Sequence, residues 1–460
     1  MQMSNERETL GSRLGFLLLT AGCAIGLGNI WRFPFVTGKY GGALFVVFYV
    51  LFLLLMGLPM LVIELSVGRG SQRTLFGAAR LLPANKKFPW TIPAGIFFSG
   101  NVFLMIFYTT VTGWMIAYAF DYLTGSLAGL TGTAVAGYFN SLIGDPWRSG
   151  GFMLFTVVTA SLICAAGLKQ GVERVVKYLM GGLFVLLLGL CINSLMLPGA
   201  KAGMSFYLLP DIKNMGQIDW MGLIAAAMGQ AFFTLSVGIG SVAIFGSYIK
   251  KEHTLTAEAL PIIGMDTMVA FLSGVIIFPV CTTYNVDVSA GPGLVFISLP
   301  EVFNRMNGGR VWGGLFFLFM SAAAYTTVIA VFENLIALMM DEWKFSRRKA
   351  SWVNCVVIAL LSLPCVLGFN LWKHIQPLGK GSTILDFEDY IVSDNLLPLG
   401  GLFFILFCGL PAAWGIRNFF AEANAGKGFK LPEWSKYYLF GILPLLIIFL
   451  FVIGFANRWF

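Results

Sequence analysis

The sequence predicts an all-α protein that crosses a membrane many times, and three observations carry that expectation. Only 11% of its 460 residues are charged while 58% are hydrophobic, too polar-poor to clothe a soluble domain of this length. Apolar stretches such as 43–63 and 439–456 hold no charge and approach or exceed the roughly 20 residues that span a bilayer. The seven cysteines (23, 164, 191, 281, 355, 365 and 408) all fall in or beside such stretches with no CxxC spacing. They read as small buried hydrophobes, not as disulfides or metal ligands.

Eleven spans are expected, at about 13–36, 41–69, 89–123, 150–168, 172–197, 219–249, 257–283, 311–340, 350–370, 396–418 and 437–457. With the amino terminus placed inside, 20 of the 30 Lys and Arg residues fall on the inner side, so the positive-inside rule supports a cytoplasmic amino terminus and an outer carboxyl terminus. The net charge of +8 is thereby read as membrane orientation, and no nucleic-acid partner is expected. The whole chain, 1–460, reads as one transmembrane domain. Its longest polar connections are 124–149, 198–218, 284–310 and 371–395, and 291–306 has the pattern of a short helix within the third.

The first span contains AGCAIGLGNIWRFP at 21–34. Gly22, Gly26 and Gly28 weaken a helix there, Asn29 and Arg32 are costly in lipid, and Pro34 is expected to help end the half-helix. Span six repeats the arrangement, since SVGIGS at 236–241 resembles AIGLGN at 24–29. Spans one and six stand at equivalent places if spans 1–5 and 6–10 form two five-helix repeats, about 13–197 and 219–418, with an extra span at about 437–457. An odd number of spans per repeat inverts one half relative to the other. Two glycine-interrupted helices at matching positions then point to a binding site at the bilayer midplane. Close helix packing is the competing explanation for paired glycines.

Backbone that leaves a helix at that depth must be buried in protein or line a wet cavity. Freed carbonyls of Ala24 and Ile25 would suit a hard cation, and freed amides of Leu27 and Gly28 a carboxylate. Asn29, Thr234 and Ser236 add side-chain oxygens. The set contains no His or Cys, which favours an alkali cation over a transition metal.

The segments GLGNIWRFP, GGALFVVFYVLFLLLMGLPMLVIELSVGR, GQAFFTLSVGIG and DEWKFSRRKA resemble, in order along nearly the whole chain, the neurotransmitter:sodium symporter family. The resemblance implies a LeuT-like fold of inverted five-helix repeats with discontinuous helices 1 and 6. It implies symport of amino acids with sodium, two ions by the family's pattern, with no organic cofactor and no catalytic residues. The first sodium site would use Ala24, Asn29, Thr234 and the residue matching a span-seven asparagine, which is Asp266 here. A second would use Gly22, Ile25, Ala323, Thr326 and Thr327. Thr326 and Thr327 could equally bond back to helix carbonyls.

Asp266 departs from the family pattern. Chloride-dependent relatives place a chloride near the positions of Tyr49, Gln230, Thr234 and Ala270; here a carboxylate stands at the first sodium, so chloride-independent transport is expected. Facing cytosolic water at the end of its span is the alternative for Asp266.

The substrate would contact Ala24, Gly26, Leu27, Gly28, Leu104, Tyr108, Phe233, Thr234, Ser236, Ile239, Thr327 and Val331. Gly26 stands where monoamine carriers hold an aspartate, so a substrate bringing its own carboxylate is expected: a neutral, hydrophobic or aromatic L-amino acid. Arg32 and Asp389 would form an outer gate, with Asp386, Glu388 and Asp394 as nearby alternatives. Arg7 and Asp341, with Ser247 and Tyr248, would form an inner one. Leu10 and the Gly171-x9-Gly181 spacing depart from the family at the inner side. A bacterial inner membrane is the expected location. A non-transporting sensor with the same binding residues and an ion channel are the rival functions. An intramembrane enzyme is disfavoured by the placement of the two histidines, His253 and His374, in or next to connections on opposite sides.

Overall fold

The computed structural model describes residues 9–210, 219–286, 288 and 293–459. Among them, nine helices are long and apolar enough to cross a bilayer without interruption: Ala43–Ser71, Thr91–Thr124, Pro146–Ala165, Leu168–Leu195, Leu255–Tyr284, Gly309–Trp343, Arg347–Leu367, Ile384–Gly409 and Ser435–Ala456. The first span is a tenth, made of Arg13–Ala24 and Gly28–Lys39 bent by 55°. Span six begins as the shorter apolar helix Trp220–Thr234, loses regular structure, and resumes as Ala243–Gly246. The two interrupted helices are therefore the two that carry the Gly-x-Gly pattern.

Prolines shape the other helices in a way the sequence did not announce. Among the described residues there are six π-helical turns; five of them, Gly28–Arg32, Leu53–Gly57, Leu294–Ser298, Tyr390–Leu396 and Tyr438–Ile442, end two residues before a proline (Pro34, Pro59, Pro300, Pro398 and Pro444), and the sixth, Leu168–Glu173, does not. A proline ring inside an α-helix collides with the carbonyl four residues back and leaves it without a donor. A widened turn just ahead takes up that conflict, and the helix continues. Pro34 accordingly does not end its half-helix, which runs on to Lys39.

Span ten also differs from expectation. It starts at Ile384, not near 396, because Thr383 and Asp386 close a reciprocal capping box that turns an acidic, loop-like stretch into helix. The candidate outer-gate acids thus ride on the span itself. The expected short helix within 291–306 forms as Leu294–Ser298 and Leu299–Arg305.

Burial sorts the spans. Of the most apolar window of each, 78% is buried in Gly309–Trp343 and 67% in Thr91–Thr124, against 33% in Leu168–Leu195 and 22% in Ser435–Ala456. Spans three and eight are the central posts, while five and eleven present most of their side chains outward, as lipid contact requires. Tight backbone approaches lock the second half of span six in place. A Cβ on Gly68 would collide with the carbonyl of Ala243, and one on Gly246 with the carbonyl of Leu65. Buried Arg69 donates to Glu422 Oε1 at 2.7 Å and to the His253 carbonyl at 2.8 Å. It also bonds the Glu422 carbonyl, tying span two to the connections after spans six and ten. All seven cysteines are free and buried.

Candidate functional site

The break in span one falls at Ile25, where the backbone turns extended (φ −71°, ψ 101°) after the Ile25 amide has closed the helix on Ala21. Its glycines are not left-handed; their role is room. A Cβ on Gly26 would overlap the Tyr108 hydroxyl and lie 2.8 Å from Thr327 Oγ1, and one on Gly28 would lie 2.9 Å from the Phe233 ring. In span six the break does need left-handed backbone, at Ser236 (φ 51°), Gly238 (φ 110°) and Gly240 (φ 75°). Glu64 accepts the Gly238 amide, Asn101 holds the Ile239 carbonyl at 2.8 Å and Asn334 the Gly240 carbonyl at 3.1 Å. Freed backbone groups are thereby satisfied by side chains.

Two oxygen-rich clusters flank the breaks. In the first, Asn29 Nδ2 donates to Asp266 Oδ1 at 2.8 Å and to Thr234 Oγ1 at 3.0 Å, while its Oδ1 accepts the Gly26 amide at 3.0 Å. Thr234 reaches both Asp266 oxygens at 3.1–3.2 Å, and Tyr49 donates to Oδ2 at 3.4 Å. Asp266 is wholly buried, so it does not face open water at the end of its span. A buried carboxylate with three polar neighbours and no Lys or Arg among its hydrogen-bond partners is a place for a cation. In the second cluster, Thr327 Oγ1 donates to the carbonyls of Gly22 (3.2 Å) and Ile25 (3.3 Å), and Thr326 Oγ1 to that of Ala323 (2.8 Å). Thr327 thus joins two carbonyls of the span-one break, while Thr326, beside Gly22, bonds back onto its own helix; all are neutral oxygens, a donor type that suits an alkali ion.

Between the clusters lies a cavity lined by Cys23, Ala24, Gly26, Gly28, Leu104, Tyr108, Phe233, Ser236, Thr327, Val392 and Leu397. The buried Tyr108 hydroxyl accepts the Leu27 amide at 3.0 Å and also meets the Thr327 hydroxyl, which puts a hydroxyl pair in the cavity wall. Of the residues expected around a substrate, Leu27, Thr234, Ile239 and Val331 do not line this cavity, and the Leu27 amide is held by Tyr108. Cys23, Val392 and Leu397 were missed, Val392 because span ten begins earlier than the sequence suggests.

The family model described as "Sodium:neurotransmitter symporter family" matches residues 7–135 and 148–458. The chain belongs to this family. It is 32% identical to an uncharacterized sodium-dependent transporter of Haemophilus influenzae, with 98% of each chain covered, and 33% identical to the uncharacterized sodium-dependent transporter YhdH of Bacillus subtilis, with 96% covered. A crystal structure of MhsT in complex with L-phenylalanine is similar at 35% identity and a TM-score of 0.86, over 98% of this chain and 100% of that one. The fold is thus that of LeuT-type transporters, and the protein is a multi-pass, sodium-dependent transporter, not an enzyme.

Arg32 and Asp389, expected to pair in an outer gate, each take another partner. Arg32 and Asp389 line one cavity, on the side expected to be outer, with Asp386, Trp31 and Phe107. Arg32 lies over the Phe233 ring, 4.4 Å from its centroid, while Asp389 accepts Ser393 Oγ at 2.6 Å. Among the described residues the two do not form an ion pair. A guanidinium gains from an aromatic face at least as much as an exposed pair gains in water. Asp341, expected at an inner gate, accepts from Arg73 at 3.1 Å and from the Thr74 amide at 3.2 Å. Arg7 lies outside the described residues. Ser247 bonds the Ile244 carbonyl, and Tyr248 donates to Glu333, which Arg347 grips with two nitrogens at 2.7 and 2.9 Å. Glu333, an acid inside an apolar span, was the sequence signal for that overlooked pair.

Proposed function

We propose that this symporter carries neutral L-amino acids with hydrophobic or aromatic side chains inward by alternating access, driven by two sodium ions and independent of chloride. The observation that carries the reading is the wall around Gly26. No acidic side chain lines the cavity, and the Tyr108 hydroxyl and Thr327 leave no space for one at that position. A cationic amine alone would have no counter-ion there. A zwitterionic amino acid brings its own, and Tyr108 with the amides of span one would hold its carboxylate. The ammonium would take carbonyls at the span-six break, around Phe233, Thr234 and Ser236. Leu104, Phe233, Val392 and Leu397 suit an apolar side chain, and MhsT, of similar structure, is known in complex with L-phenylalanine.

Sodium enters as cargo. One ion would lie among Ala24, Asn29, Thr234, Asp266 and the substrate carboxylate, the other among Gly22, Ile25, Ala323, Thr326 and Thr327. The Asp266 carboxylate supplies the negative charge that chloride supplies elsewhere in the family. A bacterial inner membrane and a cytoplasmic amino terminus complete the reading.

The test is thermal stabilisation by each of the twenty amino acids in sodium, then potassium, followed by counterflow of the labelled ligand in liposomes. Sodium-dependent stabilisation and exchange without net current support a carrier. Binding without exchange would make the protein a sensor, and a ligand-gated current a channel.

A further inference from the structure

Glu388 is a carboxyl that neither sodium nor substrate uses. It stands on Ile384–Asp389 at the start of span ten. It is 5% exposed, and its Oε2 has no hydrogen-bond partner. It belongs to the contact of that helix with span three and with Leu363–Leu367 of span nine. From span nine the Cys365 thiol meets its carboxyl and also the Thr110 hydroxyl of span three. Thr109 and Ser362 close the same contact, hydroxyl to hydroxyl at 3.1 Å. None of these groups carries positive charge. On its own helix Asp386 and Asp389 face the outer cavity, and Tyr390 and Asp394 follow in the next turn. Arg32, the basic residue in that cavity, is spread over Phe233 instead.

An ionised carboxylate in this place would be buried without a counter-ion, at a cost of several kcal/mol. Two acids on the same helix add repulsion to that cost. A neutral carboxyl fits, because its O–H is then a donor and the orphaned oxygen no longer a bare charge.

We propose that Glu388 is a proton-binding site filled from the outer solution, occupied while span ten is packed on spans three and nine and emptied when that contact opens. The proton comes from water in the outer cavity, past Asp386 and Asp389, and returns there. No net transport of protons is required. Acid outside then favours the packed arrangement, and one linked proton changes the packed-to-open ratio by at most tenfold per pH unit.

Two measurements on the full-length transporter in liposomes test this. The first is the infrared carbonyl stretch of protonated carboxyl groups, compared between wild type and Glu388→Gln. A band lost in the variant is expected; an unchanged spectrum overturns the proposal. The second is labelling of a Phe35→Cys reporter in the outer cavity by an impermeant thiol reagent, the native cysteines being buried. The rate should rise several-fold more from acid to alkaline external buffer with Glu388 present than in Glu388→Gln, which cannot ionise. Equal pH dependence in the two backgrounds overturns the proposal. So does a pH response that external sodium abolishes only when Glu388 is present, which would make the site a cation site. Both readouts are taken without substrate, so a wrong substrate class leaves them standing.

Discussion

Gly26→Ala is the substitution whose effect follows most directly from the geometry. The added methyl overlaps the Tyr108 hydroxyl and sits 2.8 Å from Thr327 Oγ1. Both belong to rigid, fully buried positions on central spans, so neither can swing away at low cost. Overpacking of this kind costs about 1–3 kcal/mol, here charged against the arrangement that binds, which corresponds to roughly 5- to 150-fold in affinity. Tyr108→Phe removes the atom struck. On its own it leaves the Leu27 amide without its acceptor and removes the donor for a carboxylate, costing about 1–3 kcal/mol. Together the two changes should cost less than the sum of each, with a coupling of about 0.5–3 kcal/mol. Sodium-dependent binding of a labelled neutral amino acid to the four proteins of the cycle gives that number. Strict additivity would show that the methyl does not meet Tyr108 and would sink the account of why this position admits only glycine.

Other predictions rest on separate features. Asp266→Asn should weaken sodium affinity at least tenfold while making binding respond to chloride; a chloride requirement in the wild type would refute the role given to Asp266. Thr327→Val keeps the shape but removes the hydroxyl shared by the Gly22 and Ile25 carbonyls. Sodium titration of thermal stability should then shift by about 1–3 kcal/mol, and an unshifted titration would place the second ion elsewhere. Arg69→Met leaves Glu422 only its ion pair with the exposed Lys251 and takes the donor from the His253 carbonyl, which should cost about 1–3 kcal/mol. Its melting temperature in detergent should fall while amino-acid selectivity stays the same.

Much of this site was legible because its chemistry forces unusual residues into apolar sequence. Glycines at 26, 28, 238 and 240, Asn29 and Asp266 stand out in lipid-spanning segments, and the structure gathers them. What stayed hidden depended on partners distant in sequence. The glycine pattern in span one reads as freedom to unwind, yet what it supplies is clearance for Tyr108 and Thr327. Nothing local to residues 384–389 distinguishes an acidic loop from the capped first turns of a span, so Val392 could not be placed at the cavity. The expected Arg32–Asp389 pair gave way to a ring face and a neighbouring serine, a competition between weak interactions that sequence does not rank.

The widened turns ahead of the prolines have a consequence for how these helices can change. A π turn is one residue too many for the α register, and one residue on an α-helix is about 100° of rotation. In span two, everything beyond Pro59, Glu64 included, is therefore aimed by the surplus residue within Leu53–Gly57. Deleting a single leucine there would leave an equally apolar helix of nearly the same length, with its far half turned about a quarter circle away from span six. Length and hydrophobicity can drift in such a membrane helix, but its residue count ahead of the proline cannot.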